Sequence, residues 1–163
     1  MTQVQDKLAP ATRAQIEAFF RQRRFAAVGV SRNPEDFSRK MMREFEGRGY
    51  QVVPVNPAAS ELDGRPCFAR VQDIVPAVQA VLILTPFAIS EQIVRECVSA
   101  GVLHVWVHGV HGGETVGPEA AALCRERGVS LITRECPFMF LSNTGFPHRV
   151  HGLIRKIFGS YPR

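Results

Sequence analysis

The fold is decided by residues 25–49, which read FAAVGVSRNPEDFSRKMMREFEGRG. An apolar run over residues 25–30 precedes a polar loop over residues 31–37, and a segment with helical spacing follows from Ser38 to about Gly47. A strand, a tight loop and a helix in this order form the first half of a nucleotide-binding unit. The stretch therefore predicts an α/β domain that opens with such a unit.

The loop and the start of this helix form the candidate phosphate site. A helix N-terminus carries unpaired N–H groups and the positive end of the helix dipole, so it attracts phosphate. Glycine allows close approach of the backbone, hydroxyls cap or donate, and basic side chains add positive charge. The candidates are Gly29, Ser31, Arg32, Asn33, Ser38, Arg39 and Lys40. The fingerprint GxGxxG is incomplete here, so the loop belongs to another subtype.

Length and composition indicate one globular domain. The 163 residues suffice for a substantial core, and 45% apolar with 21% charged residues excludes disorder as the default. No apolar run has the length of a membrane span, and the N-terminus lacks the apolar core of a signal peptide. We therefore expect a cytoplasmic protein that does not enter a membrane.

The charge is unevenly distributed along the chain. The net charge is +5, with ten Lys/Arg against six Asp/Glu in residues 1–50 and five against one in residues 134–163. Such a surplus is typical either of solvated helix faces or of a field that favours a polyanionic ligand. No basic run is interleaved with aromatic residues, so a small-molecule nucleotide is expected as the partner rather than nucleic acid.

Strand and helix patterns alternate along the rest of the chain. Further strands are expected at residues 50–55, 67–68, 80–85, 103–107 and 129–133, and further helices at residues 12–23, 71–77, 90–100, 118–127 and 148–158. This alternation predicts a single Rossmann-like α/β domain, a mostly parallel sheet with helices on both faces. Residues 1–24 form a lead-in and helix, residues 25–138 the domain, and residues 139–163 its helical C-terminal extension.

The carboxyl ends of the strands provide the remaining candidate residues. Ligands of parallel α/β sheets bind at these ends, near the switch in strand order. Asn56 and Pro57 are expected to border an adenosine, and Thr85, Pro86 and Phe87 to line the ligand. The alternatives are that Asn56 and Pro57 form an ordinary strand-end turn, and that Pro86 only ends the strand while Phe87 packs. No carboxylate follows the second strand before Glu61, which argues against NAD and leaves NADP or another phosphorylated adenosine ligand.

Six short motifs carry a resemblance to a known family. They are VGVSRNP at 28–34, GYQVVPVNP at 49–57, GRPCF at 64–68, DI at 73–74, WV at 106–107 and ECP at 135–137. Together, over residues 24–138, they resemble the CoA-binding domain proteins, which are related to the N-terminal domain of the succinyl-CoA synthetase alpha subunit. The resemblance implies a Rossmann-like domain that holds CoA along the carboxyl ends of its strands.

The resemblance implies binding without catalysis. The second domain of the synthetase, with its phosphorylated histidine, has no counterpart in this chain, so we expect a protein that binds CoA or an acyl-CoA. Two alternatives stay open: an NADP-linked oxidoreductase, and a subunit that supplies CoA to a larger acyl-CoA synthetase-like complex. A homodimer or a partner subunit is compatible with either arrangement.

Cysteine and histidine side chains complete the candidate set. Cys136 follows the last strand and could meet the CoA sulfur, or could be a small buried residue. The four cysteines form no CxxC pair, which is typical of reduced core thiols. His104, His108, His111 and Glu114 suggest a metal site, but His104 falls inside a strand and need not face the others. Neither a metal nor a catalytic residue is therefore predicted.

Overall fold

A parallel five-stranded sheet organises the residues that the computed structural model describes, 9–109 and 116–141. The strands are β1 (Arg24–Val28), β2 (Gln51–Val55), β3 (Glu61–Leu62), β4 (Arg65–Pro66), β5 (Ala80–Ile83), β6 (His104–Val107) and β7 (Ser130–Thr133). The helices are α1 (Arg13–Arg21), α2 (Phe37–Glu46), α3 (Phe87–Ser99) and α4 (Pro118–Glu126). The sheet has the order β2-β1-β5-β6-β7, and β3 pairs with β4 in a separate antiparallel hairpin. The predicted Rossmann-like α/β fold is confirmed.

The central strands feed two cores, one on each face of the sheet. Val81 and Ile83 of β5 join the cluster that includes α3 and α4, whereas Leu82 joins the cluster that includes α1 and α2. Side chains of a strand alternate between faces, so a strand covered on both sides is apolar throughout. The methionine stripe of α2, Met41 and Met42, lies fully in the second core, as its helical spacing predicts.

Several element boundaries differ from the sequence predictions for identifiable reasons. Thr12 caps α1 through a capping box, as expected. The predicted strand near residues 67–68 is a single parallel bridge between Val55 and Phe68. The predicted helix at 71–77 is only a 3-10 turn, Val71–Asp73. Pro76 disfavours the helical conformation of the residue before it, so a helix cannot readily continue to residue 77. The predicted helix at 148–158 lies outside the described residues.

Pro54 lies at the edge of the sheet, where a proline is tolerated. It occupies β2, whose only strand neighbour in the five-stranded sheet is β1. The carbonyl oxygen of Pro54 accepts a hydrogen bond of 3.0 Å from the N–H of Phe68 on the outer side. The missing N–H of the proline therefore removes no bond to β1.

The strand order creates one switch point. The chain passes from β1 to β2 on one side and then crosses to β5 on the other side of β1. Parallel sheets of this order bind ligands where the connections diverge, outside the carboxyl ends of the two strands.

None of the described helices is both long enough and apolar enough to cross a membrane.

Candidate functional site

A cleft of about 430 Å³ opens at the switch point between β1 and β5. Its volume falls in the range of small-molecule sites. The lining comes from the starts of two helices and from the segment after β6: Asp36, Phe37, Ser38, Leu84, Thr85, Pro86, Phe87, Ser90, His108 and Gly109. The structure therefore brings four predicted residues together here, namely Ser38, Thr85, Pro86 and Phe87.

Gly29 joins the ends of β1 and β5. Its φ is +87°, a left-handed conformation that favours glycine, and a Cβ there would lie 2.7 Å from Cγ2 of Thr85. Its N–H donates a hydrogen bond of 3.0 Å to the carbonyl oxygen of Val55. The close approach predicted at Gly29 is thus made by Thr85 of the same chain.

The loop after β1 is shaped by its own hydroxyl and amide side chains. The N–H of Ser31 donates to Oγ of Ser38 at 2.9 Å, and the N–H of Asn33 donates to Oγ of Ser31 at 3.1 Å. Oδ1 of Asn33 accepts from the N–H of Glu35 at 3.0 Å. These three predicted residues hold the turn that leads into α2, and Ser38 is buried in it.

Asp36 caps α2 and was not among the predicted site residues. Its Oδ1 accepts hydrogen bonds from the N–H of Ser38 at 2.8 Å and from the hydroxyl of Ser38. These bonds lower the pKa of the Asp36 carboxyl, with a smaller contribution from Lys40. The start of α2 therefore already carries a carboxylate. Aspartate is a favoured residue at the cap position of a helix, so the sequence contained this signal. Ser38 is an equally suitable capping residue, and the helix was therefore predicted to start there.

Arg39 points into the protein. Its side chain is 3% exposed, and its Nη1 donates to the carbonyl oxygens of Ser31 at 3.0 Å and Arg32 at 3.3 Å. Its Nη2 pairs with the carboxylate of Asp63 at the tip of the β3–β4 hairpin. Arg39 therefore ties the loop to the hairpin, whereas Arg32 and Lys40 beside it are exposed.

Asn56 ends β2 and also bonds within the protein. Its Nδ2 donates to the carbonyl oxygen of Val30 at 2.8 Å, and its Oδ1 accepts from the N–H of Ala58 at 2.8 Å. Pro57 follows on the surface. The pair thus forms a strand-end turn whose exposed side lies at the same edge of the sheet as the cleft.

The start of α3 differs from the start of α2. Pro86 occupies the cap position, and no side chain in the described part of the chain caps the helix. The hydroxyl of Ser90 lies 3.0 Å from the carbonyl oxygen of Thr85 and 3.0 Å from Oγ1 of Thr85. Because the first N–H groups of a helix have no partner within the helix, the uncapped start of α3 offers donors at the mouth of the cleft.

Aromatic side chains form one wall of the cleft. The ring of Phe37 lies 5.3 Å from that of His108 and 6.0 Å from that of Phe138, centroid to centroid. Phe37 is 44% exposed, and Phe87 at the start of α3 is 46% exposed. Two half-exposed rings therefore flank the opening.

Cys136 lies apart from the cleft lining. It is half-buried and packs against the core that includes α1 and α2. Burial raises the pKa of its thiol, while the N–H groups of Phe138 and Met139 lower it. Cys136 is not among the residues that line the cleft, whereas Thr85, Pro86 and Phe87 are.

Arg134 is a second residue that was not predicted individually. It follows β7 at the carboxyl edge of the sheet, with a left-handed φ of 62°. Its Nε is buried and has no hydrogen-bond partner among the described residues. A sequence pattern carries no signal for the backbone conformation of an arginine, so this residue could not be singled out from the sequence.

His104 and His108 lie at opposite ends of β6. His104 begins β6, and His108 follows its end at the cleft. Burial lowers the pKa of the His104 imidazole, and Arg21 lowers it further. Within residues 9–109 and 116–141, no three His, Cys, Asp or Glu side chains are grouped to hold a metal ion. His111 and Glu114 lie outside these residues.

Comparison with known protein families identifies the family of the chain. The family described as CoA binding domain matches residues 23–142, which is most of the chain. The chain belongs to this CoA-binding domain family. The resemblance drawn from the six motifs is thereby confirmed, and the strand-end cleft lies within the matched residues.

Relatives of the chain include a ligase subunit and two solved structures. The alpha subunit of an ADP-forming acetate–CoA ligase from Pyrococcus furiosus is 29% identical over 101 residues, 61% of this chain and 22% of that subunit. The chain thus spans about a fifth of that relative. A hypothetical protein from Pyrococcus horikoshii OT3 has 27% identity and a TM-score of 0.67, covering 76% of this chain and 84% of that one. A dinucleotide-forming acetyl-coenzyme A synthetase from Ca. Korarchaeum cryptofilum has 25% identity and a TM-score of 0.57, covering 66% and 25%.

Proposed function

We propose that this domain binds CoA or an acyl-CoA at the carboxyl edge of its sheet, across the switch point between β1 and β5. The observation that carries the proposal is the CoA-binding family match over residues 23–142, which contains the cleft at that switch point. The relationship to a subunit of an acetate–CoA ligase supports the same ligand class. The proposed activity is recognition of the ligand.

The phosphates are assigned to the β1 side of the cleft. Arg32 and Lys40 are exposed there. Arg32 belongs to the loop whose carbonyl oxygens accept hydrogen bonds from Arg39, and Lys40 is the next residue after Arg39. Since Asp36 already occupies the start of α2, the side chains of Arg32 and Lys40 rather than the backbone of that helix are assigned to the phosphates. Charge-assisted hydrogen bonds from basic side chains are the strongest contacts available to a phosphate.

The adenosine is assigned to the turn after β2. Asn56 and Pro57 lie at the carboxyl edge next to β1, and Pro57 is exposed. The Asn56 amide is bonded to the backbone, so its role is to hold the turn and the loop after β1 together. A nucleoside on this turn would place the attached phosphates near Arg32.

A role as a partner-dependent subunit is the second candidate. The ligase relative is itself described as a subunit, and this chain matches about a fifth of it. In that role the domain would present CoA to a catalytic chain. Co-purification of the tagged protein with a larger acyl-CoA synthetase-like chain tests this candidate, and a protein recovered alone would contradict it.

Calorimetric titration with CoA, acetyl-CoA, NADP and NAD tests the proposed ligand class. We expect heat of binding with the CoA species and little with the dinucleotides. The double variant Arg32→Glu with Lys40→Glu should weaken CoA binding by more than about tenfold, because two charge-assisted contacts to phosphate become repulsive.

The matched control is Arg21→Glu with Arg127→Glu. These exposed arginines lie at the C-terminal ends of α1 and α4, and reversing them changes the net charge equally. We expect less than about a twofold effect there, since exposed charges beyond a Debye length are largely screened. Equal weakening by both double variants would contradict the assigned phosphate site, and preference for NADP would overturn the proposed function.

A further inference from the structure

The large apolar side chains that stay exposed in the described residues lie at two opposite edges of the sheet. Phe37, Phe87 and Ile89 are 44%, 46% and 52% exposed, and all three belong to the first turns of helices at the carboxyl edge. Val75 and Leu103 precede β5 and β6, at the amino edge. Grouped exposed apolar residues mark binding surfaces more often than scattered ones do.

The two phenylalanines approach the cleft from different faces of the sheet. Phe37 is the first residue of α2, which packs in one core, and Phe87 is the first residue of α3, which packs in the other. Both line the cleft. A group that enters between β1 and β5 therefore passes between two half-exposed rings, with His108 and Phe138 extending the Phe37 side.

The hydroxyl and carboxylate side chains of the cleft are already bonded to one another. The Ser38 hydroxyl donates to Asp36, and the Ser90 hydroxyl bonds to Thr85. A ligand group seated between the rings thus finds apolar surface and side-chain polar atoms that have their partners. A polar group placed there without compensation would be unfavourable, whereas hydrocarbon would not.

We propose that this cleft holds the acyl group of an acyl-CoA, and that the domain prefers thioesters of apolar acyl groups over free CoA. The inference rests on the proposed function. Adenine and the pantetheine arm carry N–H and C=O groups that need hydrogen-bond partners, and the acyl chain is the part of the ligand that needs none. With the phosphates at Arg32 and Lys40 on the β1 side of the cleft, the opposite end of the ligand reaches the rings.

The expected preference follows from apolar burial. Each methylene removed from water contributes roughly a fourfold gain in affinity. Butanoyl-CoA, with two more methylenes, should therefore bind about sixteenfold more tightly than acetyl-CoA, and phenylacetyl-CoA should bind at least as well. A cleft of about 430 Å³ admits such groups.

The test is a calorimetric series with CoA, acetyl-CoA, butanoyl-CoA, phenylacetyl-CoA and adenosine 3′,5′-bisphosphate. The readout is the ratio of the dissociation constants of free CoA and butanoyl-CoA. In Phe37→Ala and in Phe87→Ala this ratio should fall by roughly threefold or more. Leu103→Ala is the matched control, because Leu103 is 45% exposed at the other edge, and it should keep the ratio.

The outcomes separate this inference from the proposed function. Binding of CoA with equal or weaker binding of butanoyl-CoA would overturn the inference and leave the proposed function intact. If both phenylalanine variants weaken adenosine 3′,5′-bisphosphate as much as butanoyl-CoA, the rings hold the adenosine and the inference is wrong. Binding of none of the CoA species would overturn both.

Discussion

Gly29 lies so close to Thr85 that a side chain on the glycine would overlap it. A Cβ built there lies 2.7 Å from Cγ2 of Thr85 and 3.2 Å from its backbone nitrogen. The contact joins the loops that follow β1 and β5, the two strands that border the cleft. The two loops can therefore approach this closely only because residue 29 has no Cβ atom.

Gly29→Ala should strongly destabilise the domain. The left-handed φ of +87° is unfavourable for alanine by roughly 1–2 kcal/mol, and the overlap with Thr85 adds to it. We expect the free energy of unfolding to fall by about 3 kcal/mol, measured by urea denaturation.

Two comparisons isolate the overlap in Gly29→Ala. Gly128 also has a positive φ, +67°, but no atom of the described residues lies within 4 Å of a Cβ there, so Gly128→Ala should lose only about 1 kcal/mol. Thr85→Ser removes the methyl group and should recover part of the loss in the double variant. Equal losses in Gly29→Ala and Gly128→Ala would contradict the packing argument.

Asp36→Ala should remove the cap of α2. The carboxylate accepts from the N–H and hydroxyl of Ser38, and loss of such a cap lowers the free energy of unfolding by about 1 kcal/mol near neutral pH. The pKa of Asp36 lies below its ordinary value of 3.8 in the folded state. Its contribution is therefore complete above 3.8 and is lost as the pH falls through the folded-state pKa.

The pH dependence checks the Asp36 prediction. Denaturation curves over a pH series should show wild type and Asp36→Ala converging in acid, while Glu35→Ala, an exposed neighbour, should parallel wild type. A difference between wild type and Asp36→Ala that stays constant through the acid range would show that the carboxylate charge is not what stabilises the helix start.

Arg39→Met should loosen the loop after β1. The guanidinium is 3% exposed and holds two carbonyl oxygens of the loop together with Asp63. Hydrogen bonds to a charged group contribute about 1.5–3 kcal/mol, and the half-exposed Asp63 limits the ion-pair share. We expect a loss of about 2 kcal/mol in the free energy of unfolding.

A neighbour on the same helix serves as the control for Arg39. Arg43 is exposed and donates one hydrogen bond, 2.9 Å to the carbonyl oxygen of Pro34. Arg43→Met should lose about 0.5 kcal/mol. Amide hydrogen exchange at residues 31–33 should additionally be faster in Arg39→Met and unchanged in Arg43→Met. If the two variants are equally stable, Arg39 does not brace the loop.

The cysteine thiols should react slowly in the folded protein. Burial raises the pKa of Cys97 to about 12 and that of Cys124 to about 11, so almost no thiolate is present near neutral pH. Labelling with a chromogenic disulfide should modify these two only after unfolding, and Cys136 sooner, since it is half-buried. Rapid labelling of all thiols would contradict this. Slower labelling of Cys136 with saturating CoA would place that thiol at the ligand.

The fold could be predicted from the sequence because its determinants are local. The apolar strand over residues 80–83 and the proline at 118 are visible in the order of residue types. The edge of the sheet that holds the cleft followed from parallel strand order alone. The side-chain roles did not follow, because they depend on contacts between distant positions: Arg39 meets Asp63 across 24 positions.

Pro54 and Phe68 bear on how these molecules behave toward one another. In a parallel strand the N–H and C=O of one residue point to the same side, and the carbonyl of Pro54 points to Phe68. The nitrogen of Pro54, which has no hydrogen to donate, therefore faces outward, where an added strand would need a donor. The carbonyl oxygen of Pro54 already accepts a hydrogen bond from Phe68. Growth of the sheet by strand addition from a second molecule is blocked along β2, which protects that border from self-association at high concentration.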